Sequence, residues 1–210
     1  DRCCGTFGNF GALSFNGNKI ITTSGGGALI CHTKEEADRV KYLSTQAREP
    51  LPYYYHTTIG YNYRLSNVSA AIGCAQIEEL EWRVNRRRAI HDMYASLLGD
   101  VDCVEVKCNP DDRSRSNFWL STLLLDKDSA PLSSDELRIA LLDKGIETRL
   151  LWRPMHMQPV FADAPFYGNG VGEDLFSRGL CLPSGSSLTD EEVAAVAEAI
   201  KECLSGVRKS

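Results

Sequence analysis

The 210-residue sequence contains no apolar run of the roughly 18–20 residues that a membrane-spanning helix requires. It also lacks a basic excess. The 23 Lys and Arg stand against 28 Asp and Glu, a net charge of -5, so the electrostatic footprint of a nucleic-acid binder is missing. Histidine is scarce, at 4 residues, and the 8 cysteines show no paired spacing suited to zinc. No metal site is expected. No leader pattern precedes the cysteines, so they read as reduced thiols of a cytoplasmic protein. Internal repeats and low-complexity tracts are absent too. A hydrophobic content of 43% with 24% charged residues is that of an ordinary globular chain.

Strands and helices alternate along this chain, which indicates an α/β fold. The segments 11–15 (GALSF) and 26–32 (GGALICH) read as short buried strands. Thr33 with Glu36, Ser133 with Glu136 and Thr189 with Glu192 have the spacing of capping boxes, each followed by a helical stripe. Ser66 can cap one long helix that runs to Leu98, where Gly99 and Asp100 stop it. Residues 117–125 and 146–151 read as further strands. The segment 48–64, rich in Pro, Tyr and Gly, reads as a long ordered loop. The basic run Arg83–Arg88 falls in a helical pattern and reads as a solvated face. The expected boundary divides an N-terminal piece, residues 1–80, from an α/β unit with its linking long helix, residues 81–210.

Lys19 draws attention because it lies between a strand and the run Gly25, Gly26, Gly27, inside SFNGNKIITTSGGG (14–27). Strand ends and glycine loops let backbone approach a ligand. An unprotonated lysine there can attack an aldehyde and form a Schiff base. Pyridoxal 5'-phosphate (PLP) is such an aldehyde, and its phosphate needs donors. Ser14, at the strand end, offers a hydroxyl. A surface lysine on a hairpin-like turn fits the same spacing, and the local pattern leaves both readings open.

The longer pattern narrows the choice. SFNGNKIITTSGGG resembles the cofactor-lysine segment of the DegT/StrS sugar aminotransferases, PLP enzymes of fold type I. The resemblance continues through STQAREP (44–50), GYNYRLSNVSAAIGCAQIEELEWRV (60–84), SRSNFWLST (114–122), GIETRLLWRPMHMQPVF (145–161) and SRGLCLPSGSSLTDEEV (177–193). It therefore spans almost the whole chain in order. In detail it is most similar to the branch that aminates UDP-4-keto-6-deoxy-N-acetylglucosamine in bacillosamine synthesis. The resemblance implies that residues 1–80 are the C-terminal portion of the large PLP-binding domain and that residues 81–210 are the small C-terminal domain. Lys19 then matches the lysine that binds the cofactor and shuttles the proton, and Ser14 matches a phosphate ligand. Asn62, with Arg64 as a second candidate, matches a segment that reaches the phosphate in the neighbouring subunit, which implies a homodimer with shared sites. Relatives with dehydratase activity carry histidine at the Lys19 position, so the lysine implies transamination.

The resemblance also places His156, in WRPMHMQP (152–159), among substrate-facing residues, and the chemistry of Trp152, Arg153 and Arg149 makes them further candidates for contact with a UDP-linked keto sugar. For each, a plainer reading stands beside that one. Trp152 can stack on a sugar or uracil or fill the core. His156 can face substrate or satisfy a loop hydrogen bond. Arg149 and Arg153 can meet a diphosphate or pair on the surface. The tyrosines 53–55 can line a site or anchor their loop. The chain opens mid-pattern, and the family's ring-nitrogen aspartate lies upstream of the matched segments. We therefore expect a piece that is inactive alone, with an amino acid, glutamate for preference, as donor to the whole enzyme. A different keto-sugar aminotransferase and a non-catalytic binding or regulatory module are the alternatives.

Overall fold

The computed structural model describes residues 2–206. It divides into two compact units, Asp1–Glu81 and Trp82–Ser210. In the first, strands β1 (Phe10–Ser14) and β2 (Gly27–Cys31) form an antiparallel hairpin in which Ser14 lies opposite Gly27. The two strands, expected to be buried, are instead mostly exposed, Leu13 at 42% and Leu29 at 45%, because this unit packs little against the hairpin. Helix α1 (Lys34–Ser44) starts at the reciprocal Thr33–Glu36 box.

The following loop is knitted to itself. The Gln46 amide donates to the Tyr61 carbonyl at 2.9 Å, and the Tyr61 amide donates to the Leu43 carbonyl at 2.7 Å. The His56 ring bonds through Nδ1 to the Gln46 carbonyl at 2.9 Å. Gln46 and Ala47 both take positive φ, 67° and 48°. Gly60 lies flush on their peptide and leaves no room for a Cβ. Helix α2 (Asn67–Glu78) begins where the Ser66 hydroxyl accepts from the Ser69 amide.

The second unit holds the main core. Strands β3 (Val104–Val106), β4 (Thr122–Leu125), β5 (Arg149–Leu150) and β6 (Gly179–Cys181) form a sheet in the order β3-β4-β6-β5, with every pair antiparallel. Helices α3 (Leu80–Leu98), α4 (Ser134–Asp143) and α6 (Asp190–Ser205) bring Ile90, Tyr94, Leu98, Leu137, Leu141, Val193, Ala197 and Ile200 onto Leu123, Leu125 and Leu180. The Ser133–Glu136 and Thr189–Glu192 boxes start α4 and α6. Helix α5 (Val171–Arg178) leads directly into β6. Among the described residues, no helix is long and apolar enough to cross a membrane.

Several elements differ from the sequence reading. The expected single helix from Ser66 to Leu98 is interrupted at Glu79, whose amide bonds back three residues to the Gln76 carbonyl at 3.3 Å. That contact tightens the end of α2 into a turn. The expected strand 117–125 is reduced to Thr122–Leu125, because Phe118 takes a φ of 42°, outside the extended region. The strand expected at 146–151 keeps only two residues. Strands β3 and β6 and helix α5 carried no distinct periodic signal, being short.

The arginine run is not a solvated face. Arg86 pairs with Asp190 at 2.7 Å and donates to the Leu188 carbonyl. Arg87 is buried and donates to the Trp119 carbonyl, and Arg88 donates from Nε to the Ser116 carbonyl at 3.0 Å. These guanidinium groups satisfy loop carbonyls that helices and strands leave over.

Ile200→Ala should lower unfolding free energy by about 2–5 kcal/mol in chemical denaturation, because Ile200 is fully buried in the core. Burial also pushes the Cys181 thiol up to about 11, whereas Cys108 is exposed. Iodoacetamide mapping at mildly alkaline pH should therefore label Cys108 well before Cys181.

Candidate active site

Lys19 lies in the turn that closes the β1–β2 hairpin. Its amide donates to the Asn16 carbonyl at 3.0 Å, and its side chain is half-buried. The turn is fixed from within. Phe15 donates to Gly26 at 3.0 Å and accepts from the Thr23 amide at 3.0 Å and the Thr22 hydroxyl at 3.1 Å. The Thr22 amide reaches Gln76 Oε1 of α2 at 3.4 Å. Ser14 sits exposed at the end of β1. Its Oγ accepts from the Asn16 amide at 3.5 Å, which leaves the hydroxyl hydrogen able to donate elsewhere.

The glycine run has a packing role that its sequence did not show. Gly26 has a φ of +90°, and a Cβ there would meet Leu65 Cδ1 at 2.5 Å. A Cβ on Gly27 would strike the Leu13 carbonyl. Only Gly25 stands in open space. Two of the three glycines are thus explained by the hairpin and its seat on Leu65, without a ligand.

Asn62 and Arg64 line a different place, an open cleft of about 540 Å³ whose walls include Gln46, Arg48 and Glu49. Neither Ser14 nor Lys19 is among its lining residues. The Glu49 carboxyl accepts from the Thr57 and Tyr42 hydroxyls, which hold it below the usual carboxylate range. Arg48, which the sequence reading passed over, lines the same cleft and lies over the Tyr54 ring at 4.4 Å. Tyr53 and Tyr55 meet edge to face, and all three tyrosines are exposed.

The candidates of the second unit separate by their partners. Trp152 is 64% exposed and does not fill the core, and its ring lies 5.9 Å from that of Trp119. Arg153 is exposed. Arg149 pairs with exposed Glu147 at 2.9 Å. His156 bonds through Nε2 to Glu173 at 2.7 Å and stacks on Phe166 at 3.6 Å. Its own backbone amide, followed by His156, holds the Glu173 carboxyl below its ordinary range. The described residues include no His, Cys, Asp or Glu cluster suited to a metal ion.

An amine on a fixed turn and a hydroxyl at the adjacent strand end suit an aldehyde and a phosphate, and the amide and guanidinium of the second cleft suit a phosphate. The donor set therefore fits PLP at those two ends of the molecule.

The model of the DegT/DnrJ/EryC1/StrS aminotransferase family matches residues 1–201, and the chain belongs to that family. It is 47% identical over 201 residues to EpsN of Bacillus subtilis (strain 168), named as a pyridoxal phosphate-dependent aminotransferase. That match covers 93% of this chain and 50% of EpsN. It is 36% identical over 198 residues to a GDP-perosamine synthase of Escherichia coli O157:H7, covering 94% of this chain and 52% of that protein. The crystal structure of the aminotransferase TlmJ from Streptoalloteichus hindustanus superposes with a TM-score of 0.88 at 26% identity, covering 98% of this chain and 54% of TlmJ. The architecture is that of the fold type I sugar aminotransferases, and the chain spans about half the length of the curated relatives it matches.

Gly26→Ala should destabilise the hairpin by about 1–2 kcal/mol, since it forces an L-residue to positive φ against Leu65. Gly25→Ala should stay within about 0.5 kcal/mol of the parent. Paired urea titrations read the contrast.

Proposed function

We propose that the chain is part of a PLP-dependent aminotransferase. In this reading the enzyme moves an amino group from glutamate to a UDP-linked 4-keto-6-deoxy-N-acetylhexosamine. The observation that carries it is the placement of Lys19 and Ser14 on one hairpin, the amine in the closing turn and the hydroxyl at the strand end. When bound, PLP supplies an aldehyde that accepts the nitrogen and a ring that withdraws electrons. Lys19 binds it and moves the proton at the amino-bearing carbon. Ser14 donates to its phosphate. Asn62 and Arg64 serve the neighbouring subunit's phosphate in a homodimer, in keeping with their place in a cleft of their own. The keto oxygen is exchanged for an amine, and glutamate leaves as 2-oxoglutarate.

On the sugar-nucleotide side, exposed Trp152 and Arg153 are the available contacts, Trp152 for a planar ring and Arg153 for diphosphate. His156 and Arg149 act from their Glu173 and Glu147 partners. We further propose that these 210 residues are inactive alone. The rest of the longer protein would cover the exposed apolar side chains of the hairpin, since a two-stranded sheet is marginal in water by itself. A second substrate reading has a specific support, the 36% identity to a GDP-perosamine synthase. It differs in the nucleotide and leaves the amine chemistry unchanged.

The test expresses the chain with its preceding coding sequence and supplies glutamate with UDP-, GDP- and dTDP-linked 4-keto sugars. Mass spectrometry should find the aminated UDP sugar, and Lys19→Ala should abolish it. Amination of the GDP sugar alone would replace the substrate. No amination of any sugar would reject the reading.

A further inference from the structure

One turn of α3 grips the segment 116–119 at three points. Arg88 Nε donates to the Ser116 carbonyl at 3.0 Å, and Arg87 donates to the Trp119 carbonyl. The His91 ring lies on the Phe118 ring with centroids 3.6 Å apart and planes 6° apart. His91 lies one turn on from both arginines, at i+4 from Arg87 and i+3 from Arg88, so all three can reach one segment.

The gripped segment holds an unfavourable conformation. Phe118 has a φ of 42°, which a bulky side chain rarely adopts. Such backbone persists only where its surroundings over-determine it. Arg87 and His91 are both buried, and His91 Nδ1 has no hydrogen-bond partner among the described residues. Burial lowers the His91 pKa and so disfavours the charged ring in this stack. With Nδ1 unpaired, what His91 presents to Phe118 is its ring face. Just beyond, Trp119 is half-buried and its ring tilts against that of Trp152, which is 64% exposed. Trp119 is the aromatic ring that the structure places beside Trp152, with centroids 5.9 Å apart.

We infer that Arg87 and His91 are positioning residues. Through Phe118 and Trp119 they fix Trp152 in an open orientation where the planar base of a nucleotide can stack. The inference rests on the reading of Trp152 as a nucleotide contact, and its test has one arm that does not depend on nucleotide.

Two indoles at this separation give an exciton couplet in far-ultraviolet circular dichroism, and Trp152→Phe identifies it by removing it. In the chain itself, His91→Ala and Arg87→Met should each reduce that couplet by more than half, while His91→Phe, which keeps a flat ring, should retain it. Arg88→Met, losing only the Ser116 contact, should give a smaller loss with melting close to the parent. UDP quenching of tryptophan fluorescence should weaken about tenfold in His91→Ala and recover in His91→Phe. An unchanged couplet in both His91→Ala and Arg87→Met overturns the inference. Equal loss in His91→Ala and His91→Phe overturns the stacking role. The expected couplets, with no UDP binding by the chain carrying its preceding coding sequence, would uphold the positioning and reject the nucleotide reading.

Discussion

The second unit depends on helix α3 meeting two environments at once. Ile90, Tyr94 and Leu98 bury into the core, while Arg86, Arg87 and Arg88 reach carbonyls of the loops around Leu188 and Ser116–Trp119. Those carbonyls have no place in helix or sheet ladders. Leaving them unpaired beside the core would cost about 1–3 kcal/mol each. Arginine meets that demand because its long apolar stem packs while its fork donates. The Tyr94 hydroxyl adds a fourth tie, to the Pro183 carbonyl at 2.9 Å. The loops that Arg86, Arg87 and Arg88 hold flank β4 and β6, the two central strands of the sheet.

The first unit obeys a different constraint. Its hairpin is held by backbone pairing and by glycines that fit where no Cβ would, so the closing turn is rigid although little apolar area is buried. A rigid turn suits a lysine that must meet one atom of a ligand. The loop after α1 uses the same means: left-handed Gln46 and Ala47, with Gly60 lying on their peptide, shape the walls next to Asn62 and Arg64. Strain of this kind gathers where the geometry of a site matters more than its stability.

Much of this was legible in the sequence, for identifiable reasons. The three capping boxes are local, with donor and acceptor three residues apart, and each starts a helix as expected. The places of the hairpin strands and of the irregular loop were legible, but the exposure of the strands was not, because it depends on what packs against them. The break at Glu79 was not, because the apolar spacing continues across it. The shortened strand before Thr122 was hidden because Asn117–Leu125 looks extended, whereas Phe118 takes positive φ in a segment held by Arg87, Arg88 and His91, 27 to 31 residues earlier. The arginine run was misread for the same reason. Charge shows in a sequence, whereas the distant carbonyls that take it inside do not. Family resemblance singled out Lys19, Ser14 and Asn62, whereas the neighbours of Trp152, His156 and Arg149 emerged only from the folded chain.

The central claim is that Lys19 holds the cofactor. Borohydride reduction in the presence of PLP, on the chain with its preceding coding sequence, followed by peptide mapping, tests it most directly. The account predicts a phosphopyridoxyl group on the peptide carrying Lys19 and its loss on Lys19→Arg. Label spread over other lysines with Lys19 unmodified would contradict it.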